Sequence, residues 1–271
     1  MTDNSVTTRD DGRVRVVRLN RPRARNAVDP VAARALYEAF VAFENCPDAD
    51  VAVLAGTDGA FCSGFDLKAL AEGAASRWLD ELHFGAAGRP PLGPMGPTRL
   101  TLSKPVIAAI AGPAVAGGME LAAWCDLRVM EEDAYMGVYC RRFGVPLIDG
   151  GTVRLPALIG RARALELILS GRRIDAPECA AIGLCDRVVP PGEALPVAIA
   201  WARELARLPQ VCLRADRASV LEDPRTLKAA MEREFTAGLA AIEAEARDGA
   251  RAFSSGAGRH GESCSARGGP D

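Results

Sequence analysis

The sequence predicts a layered α/β fold, and three observations carry that reading. Val51–Ala55 and Val106–Ile110 are short, continuous apolar runs with glycine close behind, the pattern of strands buried on both faces. Asp29-Pro30 supplies an N-cap and a proline at the first helical position, so a helix follows, to about Glu44. Strand, loop and helix signals then recur along the chain, as layers of helix on sheet require.

The elements follow in order. Arg13–Leu19 alternates charged and apolar residues, with one slip at Val16-Val17, and reads as a half-buried strand. Asn20–Asn26 is a basic loop carrying Arg21, Arg23 and Arg25. Phe61–Leu67 joins an apolar run to a helix through Ser63-Gly64, with Asp66 opening the helix. Residues 72–98 are rich in Gly, Pro and Ala and weakly periodic, which marks them as a substrate-facing segment without regular structure. Ala116-Gly117-Gly118 forms a second small-residue turn before a helix through Trp124. From about Thr152 the chain reads as mostly helical. Leu227, Met231, Phe235, Leu239 and Ile242 form one apolar stripe that must cover a surface of this subunit or of a partner. The tail after Phe253 is Gly/Ser/Arg-rich and is expected to fray. No repeat of fixed period is visible.

Composition bounds the function. The chain has 271 residues, 49% hydrophobic and 25% charged, enough for one sizeable core with a smaller appendage. A net charge of −2 gives no overall electrostatic reason to bind nucleic acid or an anionic membrane, so neither is expected as a partner. No apolar run is long enough to span a bilayer, and the N-terminus lacks the basic-then-apolar pattern of a secretory signal. The eight cysteines form no Cys-x-x-Cys pair, and most sit among apolar neighbours, which fits a reduced cytoplasmic setting. With only His83 and His260, histidine-based metal sites and Ser-His triads are poorly supported, and no metal is expected.

Both small-residue turns expose backbone N–H groups. Brought together, they would stabilise a carbonyl oxygen acquiring negative charge. Taken singly, each is equally an ordinary strand-to-helix turn. Ser63 lacks the Gly-x-Ser-x-Gly setting of a nucleophile, so its amide is the more useful group.

Leu19-Asn-Arg-Pro, Asn26-Ala27, Ala60–Leu67, Lys104–Gly112, Ala116–Leu121, Cys125-Asp126, Gly150–Leu155, Leu169–Ile174 and Gly183–Pro190 occur in this order. Together they resemble the crotonase superfamily, which includes enoyl-CoA hydratases and isomerases, over roughly residues 10–250. The resemblance implies a spiral of ββα units over residues 1–195 and a helical C-terminal region over 196–255 that packs homotrimers or hexamers. Residues 256–271 would be a flexible tail.

It also implies an acyl-CoA thioester substrate, with coenzyme A as part of the substrate and no separate cofactor. The amides of Ser63 and Gly117 would form the oxyanion hole, with Gly118 allowing close approach. Arg23, Ala24 and Arg25, together with Ala60, Gly64, Phe65, Asp66 and Leu67, would wrap the adenine and pantetheine, with Arg21, Arg23 and Arg25 meeting phosphate. Glu120 matches the family's first catalytic glutamate, although an N-terminal glutamate is also simply favoured by the helix dipole.

The second hydratase glutamate falls on Cys140, beside Arg141, and neither supplies a carboxylate. Asp149, where some family isomerases place a catalytic aspartate, is the substitute, unless it only forms the turn that Asp-Gly-Gly favours. Tyr139 and Arg142 would line the acyl pocket. The resulting expectation is a lyase or isomerase of fatty-acid-type metabolism, stabilising a thioester enolate with Glu120 and Asp149 as acid/base. The alternatives are double-bond isomerisation without hydration, and a non-catalytic acyl-CoA-binding subunit.

Overall fold

Alternation at the start of the chain produces an antiparallel pair in the computed structural model, which describes residues 5–72, 78–82, 91–221, 229, 231–232, 235–236, 238–239, 242 and 246–256. The pair is β1 (Val6–Asp11) with β2 (Val14–Leu19). The apolar runs become β3 (Val51–Gly56) and β4 (Val106–Ile110). Shorter strands follow: β5 (Pro113–Val115), β6 (Leu127–Glu131), β7 (Tyr135–Gly137), β8 (Ile174–Asp175) and β9 (Arg187–Val189). A six-stranded sheet has the order β1-β2-β3-β4-β6-β9, parallel from β2 onward. A three-stranded sheet, β5-β7-β8, stands beside it.

The described α-helices of five or more residues are α1 (Pro30–Glu44), α2 (Leu67–Ala71), α3 (Gly117–Trp124), α4 (Gly151–Ile159), α5 (Arg161–Ser170), α6 (Ala176–Ala181), α7 (Ala194–Ala206), α8 (Gln210–Val220) and α9 (Arg247–Ser254). Asp29 caps α1 as its position predicts, accepting from the Ala32 amide at 2.8 Å. Two cores follow from parallel strands that are apolar on both faces. One face packs Leu19, Leu54, Ala108 and Ile110 against Leu36, Phe40 and Met119. The other packs Val16, Val53, Ile107 and Val129 against Ala198, Ile199 and Ala202 of α7. Helix α7 is therefore a layer of the sheet domain itself.

The C-terminal stripe turns inward. Met231, Phe235 and Ile242 are buried and Leu239 is partly buried against the main core, so the stripe covers this subunit. Leu227, His83, His260, Cys264 and the tail beyond residue 256 lie outside the described residues. Helix α8, by contrast, leaves Val211 and Val220 more than 80% exposed. No described helix is long and apolar enough to cross a membrane.

Candidate active site

The two small-residue turns meet because Cys62, just before the first, makes a bridge to β5, just before the second. Cys62 donates to the Pro113 carbonyl at 3.0 Å, and Val115 returns a bond to the Cys62 carbonyl at 3.0 Å. Gly64, at φ +93°, lies so close to the second turn that a Cβ there would stand 2.8 Å from Ala116 Cβ and 3.1 Å from the Gly117 nitrogen. Ala116 sits at φ +55°, ψ −126°, a conformation costly for an L residue by about 1–3 kcal/mol. Its amide is tied to the Gly137 carbonyl at 2.8 Å, which helps hold that turn and delivers Gly117 to the first position of α3.

The first donor needs correcting. The Ser63 amide donates to the Arg25 carbonyl at 3.1 Å, and the Ser63 hydroxyl to the Ala24 carbonyl at 3.1 Å, so its amide is already occupied. Phe65 is different. A bridge to Val28 uses the Gly64 carbonyl (2.8 Å) and the Asp66 amide (2.9 Å), which turns the intervening Phe65 N–H the other way. Among the described residues, the amides of Phe65 and Gly117 donate to no acceptor.

Both residues line one cavity. Of the expected site residues, Ser63, Phe65, Leu67, Gly117, Glu120, Tyr139, Cys140 and Asp149 form its wall, and Arg23, Ala24, Arg25, Ala60, Gly64, Asp66, Gly118 and Arg142 do not. Leu70, Leu79, Pro94, Met95, Ala116, Phe143, Val145, Pro146, Ile148 and Ile242 complete a mostly apolar lining.

Glu120 is 3% exposed. Its Oε1 accepts from the amides of Asp149 and Gly151, both at 2.9 Å. A Cβ at Gly151 would stand 2.9 Å from that oxygen, so glycine is what lets the amide come near. Asp149 is 2% exposed, and its Oδ1 accepts from the Met95 amide at 2.9 Å and from the Thr98 hydroxyl. Arg154 donates to the Asp149 carbonyl at 2.8 Å and to the Thr98 carbonyl at 2.6 Å. Met95, Thr98 and Arg154 carry no local sequence signal, the first two because residues 72–98 are only weakly periodic.

Cys140 stands in the cavity wall. Burial, and then the nearby Glu120 charge, push its thiol up to about 12, so it is a neutral thiol at physiological pH. Tyr139 stacks under the Arg142 guanidinium at 3.9 Å, and burial raises its phenol as well. Arg142 faces Tyr139 and the Gly171 carbonyl.

The basic loop divides by partner. Arg21 pairs with Asp29 at 2.7 Å and Asp66 at 3.0 Å, which commits it to holding the loop rather than to a phosphate. Asp66 also caps α2 through the Lys68 amide at 3.1 Å. Arg23 and Arg25 are exposed. Among the described residues, no group of three or more His, Cys, Asp or Glu is placed to hold a metal ion.

Comparison with known proteins fits this geometry. The family model described as enoyl-CoA hydratase/isomerase matches residues 9–254. The chain is 34% identical over 218 residues to the enoyl-CoA hydratase EchA19 of Mycobacterium tuberculosis, covering 78% of each. It is 38% identical over 203 residues to the carnitinyl-CoA dehydratase of Proteus mirabilis, covering 74% of this chain and 72% of that protein. The crystal structure of carnitinyl-CoA hydratase from Mycobacterium avium superposes with a TM-score of 0.83 at 29% identity, covering 94% of this chain and 97% of the other.

Proposed function

Because this chain belongs to the enoyl-CoA hydratase/isomerase family, with the crotonase fold, we propose that it binds an acyl-CoA thioester and stabilises its enolate while Glu120 moves a proton or guides water. The observation that carries the reading is the shared cavity. Two amides without acceptors, Phe65 and Gly117, open onto the same wall as a buried, oriented carboxylate.

In this reading the thioester oxygen lies between the two amides, where a preorganised donor pair is most effective as charge develops. One such donor is worth about 3–4 kcal/mol of transition-state stabilisation. The thioester is its own electron sink, so no further cofactor enters the proposal. Glu120 Oε1 is held by two amides, which fixes the carboxylate for transfer at Cα or Cγ, or for directing water to Cβ. Arg23 and Arg25, exposed and close in sequence to the Ala24 carbonyl that Ser63 grips, are assigned to the CoA phosphates. The apolar wall supports an apolar acyl chain.

One observation favours double-bond isomerisation without hydration. The position expected to carry a second glutamate is a neutral thiol, so water has one carboxylate fewer to activate it. Asp149 is the remaining carboxylate of the wall. A cytoplasmic location belongs to the proposal, supported by described cysteines that are all free thiols. Assembly as a trimer or hexamer belongs to it too, supported by the exposed Val211 and Val220.

The test is a panel of 2-enoyl-, 3-enoyl- and dienoyl-CoA thioesters in deuterium oxide, with products identified by mass and NMR. Hydration, double-bond migration and bare α-exchange each leave a distinct product. Binding without turnover or exchange over the whole panel would leave only an acyl-CoA-binding subunit and overturn the reading.

A further inference from the structure

We infer that Thr98, which lies outside the cavity wall, is a positioning residue of this site: through Asp149 it sets both the carboxylate of Glu120 and the Met95 side chain that lies against Gly117. The inference rests on the proposed acyl-CoA chemistry and assigns the residues that hold its two halves in register.

The connection is continuous. Thr98 is fully buried, on the 3-10 turn Pro97–Arg99. Its hydroxyl donates to Asp149 Oδ1, the same oxygen that accepts the Met95 amide at 2.9 Å. The Asp149 amide then donates to Glu120 Oε1 at 2.9 Å. Arg154 closes the ring by bridging the Thr98 and Asp149 carbonyls at 2.6 and 2.8 Å.

Met95 sits at the tip of a two-residue loop closed by reciprocal bonds between Gly93 and Gly96, at 2.8 and 2.9 Å. A Cβ on Gly117 would stand 2.7 Å from Met95 Sδ, so the thioether packs against the side of Gly117 where a side chain would project. Asp149 thus works in two directions. Its side chain locks the loop that packs against Gly117, and its main chain locks the acid/base. A carboxylate whose Oδ1 already accepts two internal donors is built as an anchor, and Thr98 is what fastens it.

The test uses the whole chain and α-proton exchange of octanoyl-CoA in deuterium oxide, followed by NMR. Thr98→Val keeps the shape and removes the donor. It should lower the saturating exchange rate by about 10- to 100-fold, the scale of a small misplacement at a distance. The dissociation constant for octanoyl-CoA should stay within about threefold, and Thr98→Ser should recover most of the rate, because it restores a single hydrogen bond. A folded Thr98→Val that exchanges at the wild-type rate, or a Thr98→Ser as slow as the valine variant, overturns the inference.

If Thr98→Val does not fold, Asp149→Asn replaces it, since the amide oxygen still accepts both donors. Exchange clearly above that of Glu120→Gln supports the anchor. Loss as complete as that of Glu120→Gln assigns Asp149 to proton transfer instead. A wild type that binds octanoyl-CoA and exchanges nothing fails the acyl-CoA acid/base reading first, and this inference with it.

Discussion

Glu120 and Asp149 meet through the main chain: the Asp149 amide donates to Glu120 Oε1 at 2.9 Å, and the Gly151 amide joins it at the same distance. Two backbone donors therefore orient the carboxylate through Oε1. Glu120→Gln keeps an oxygen that accepts both amides, so the fold should hold. A proton carrier is lost, and general acid/base catalysis is worth about 10²–10⁴-fold. We expect kcat to fall by that range with acyl-CoA affinity nearly unchanged, measured by single-turnover kinetics and calorimetric titration. Unaltered kcat would take Glu120 out of the chemistry.

Gly117 and Gly118 look interchangeable in sequence, and both have ordinary φ. Their neighbours separate them. A Cβ on Gly118 would meet the Cys62 carbonyl oxygen at 2.1 Å, a backbone atom held by the Val115 amide of β5 and not free to step aside. A Cβ on Gly117 would meet the flexible Met95 side chain. Gly118→Ala should cost about 3 kcal/mol or more in chemical denaturation, against about 1 kcal/mol for Gly117→Ala. Adding Met95→Ala should relieve the second and leave the first. Equal losses would mean that the backbone at Cys62 yields.

Local signals explain what the sequence could disclose. The Asp29 cap, the buried strands at Val51 and Val106 and the two glycine turns each depend on residues within a few positions of one another. Which amide of the first turn is available depends instead on a partner far along the chain. Arg25 takes the Ser63 amide and Val28 turns the Phe65 amide outward, and neither pairing has a pattern in the sequence. Arg21, Arg23 and Arg25 alternate identically, and only Asp29 and Asp66 reveal that the first is structural.

That division predicts two phenotypes within one loop. Arg21→Ala removes a half-buried guanidinium shared by two carboxylates, at about 1–3 kcal/mol. Its melting temperature should drop by several degrees. Arg23→Ala and Arg25→Ala should leave melting unchanged and weaken acyl-CoA binding several-fold, with a loss that shrinks as salt is raised. Titrations at two ionic strengths beside thermal melts would decide it. A normal melting temperature for Arg21→Ala would show that the two ion pairs contribute nothing.

Cys140 occupies the wall beside Glu120, and its reactivity tests whether the neutral thiol is only part of the lining. Desolvation disfavours the thiolate, and the adjacent carboxylate disfavours it further, which raises the pKa to about 12. At pH 8 the group is then overwhelmingly protonated, and alkylation requires the thiolate. Iodoacetamide at that pH should label the exposed Cys212 within minutes and leave Cys140 unmodified until the chain unfolds, as peptide mass spectrometry reads directly. Glu120→Gln removes the neighbouring charge, so Cys140 labelling should rise in that variant while staying below that of Cys212. Rapid labelling of Cys140 in the native wild type would mean a thiolate stands in the cavity, and the case for a wall one carboxylate short of hydration would have to be rebuilt around a nucleophile.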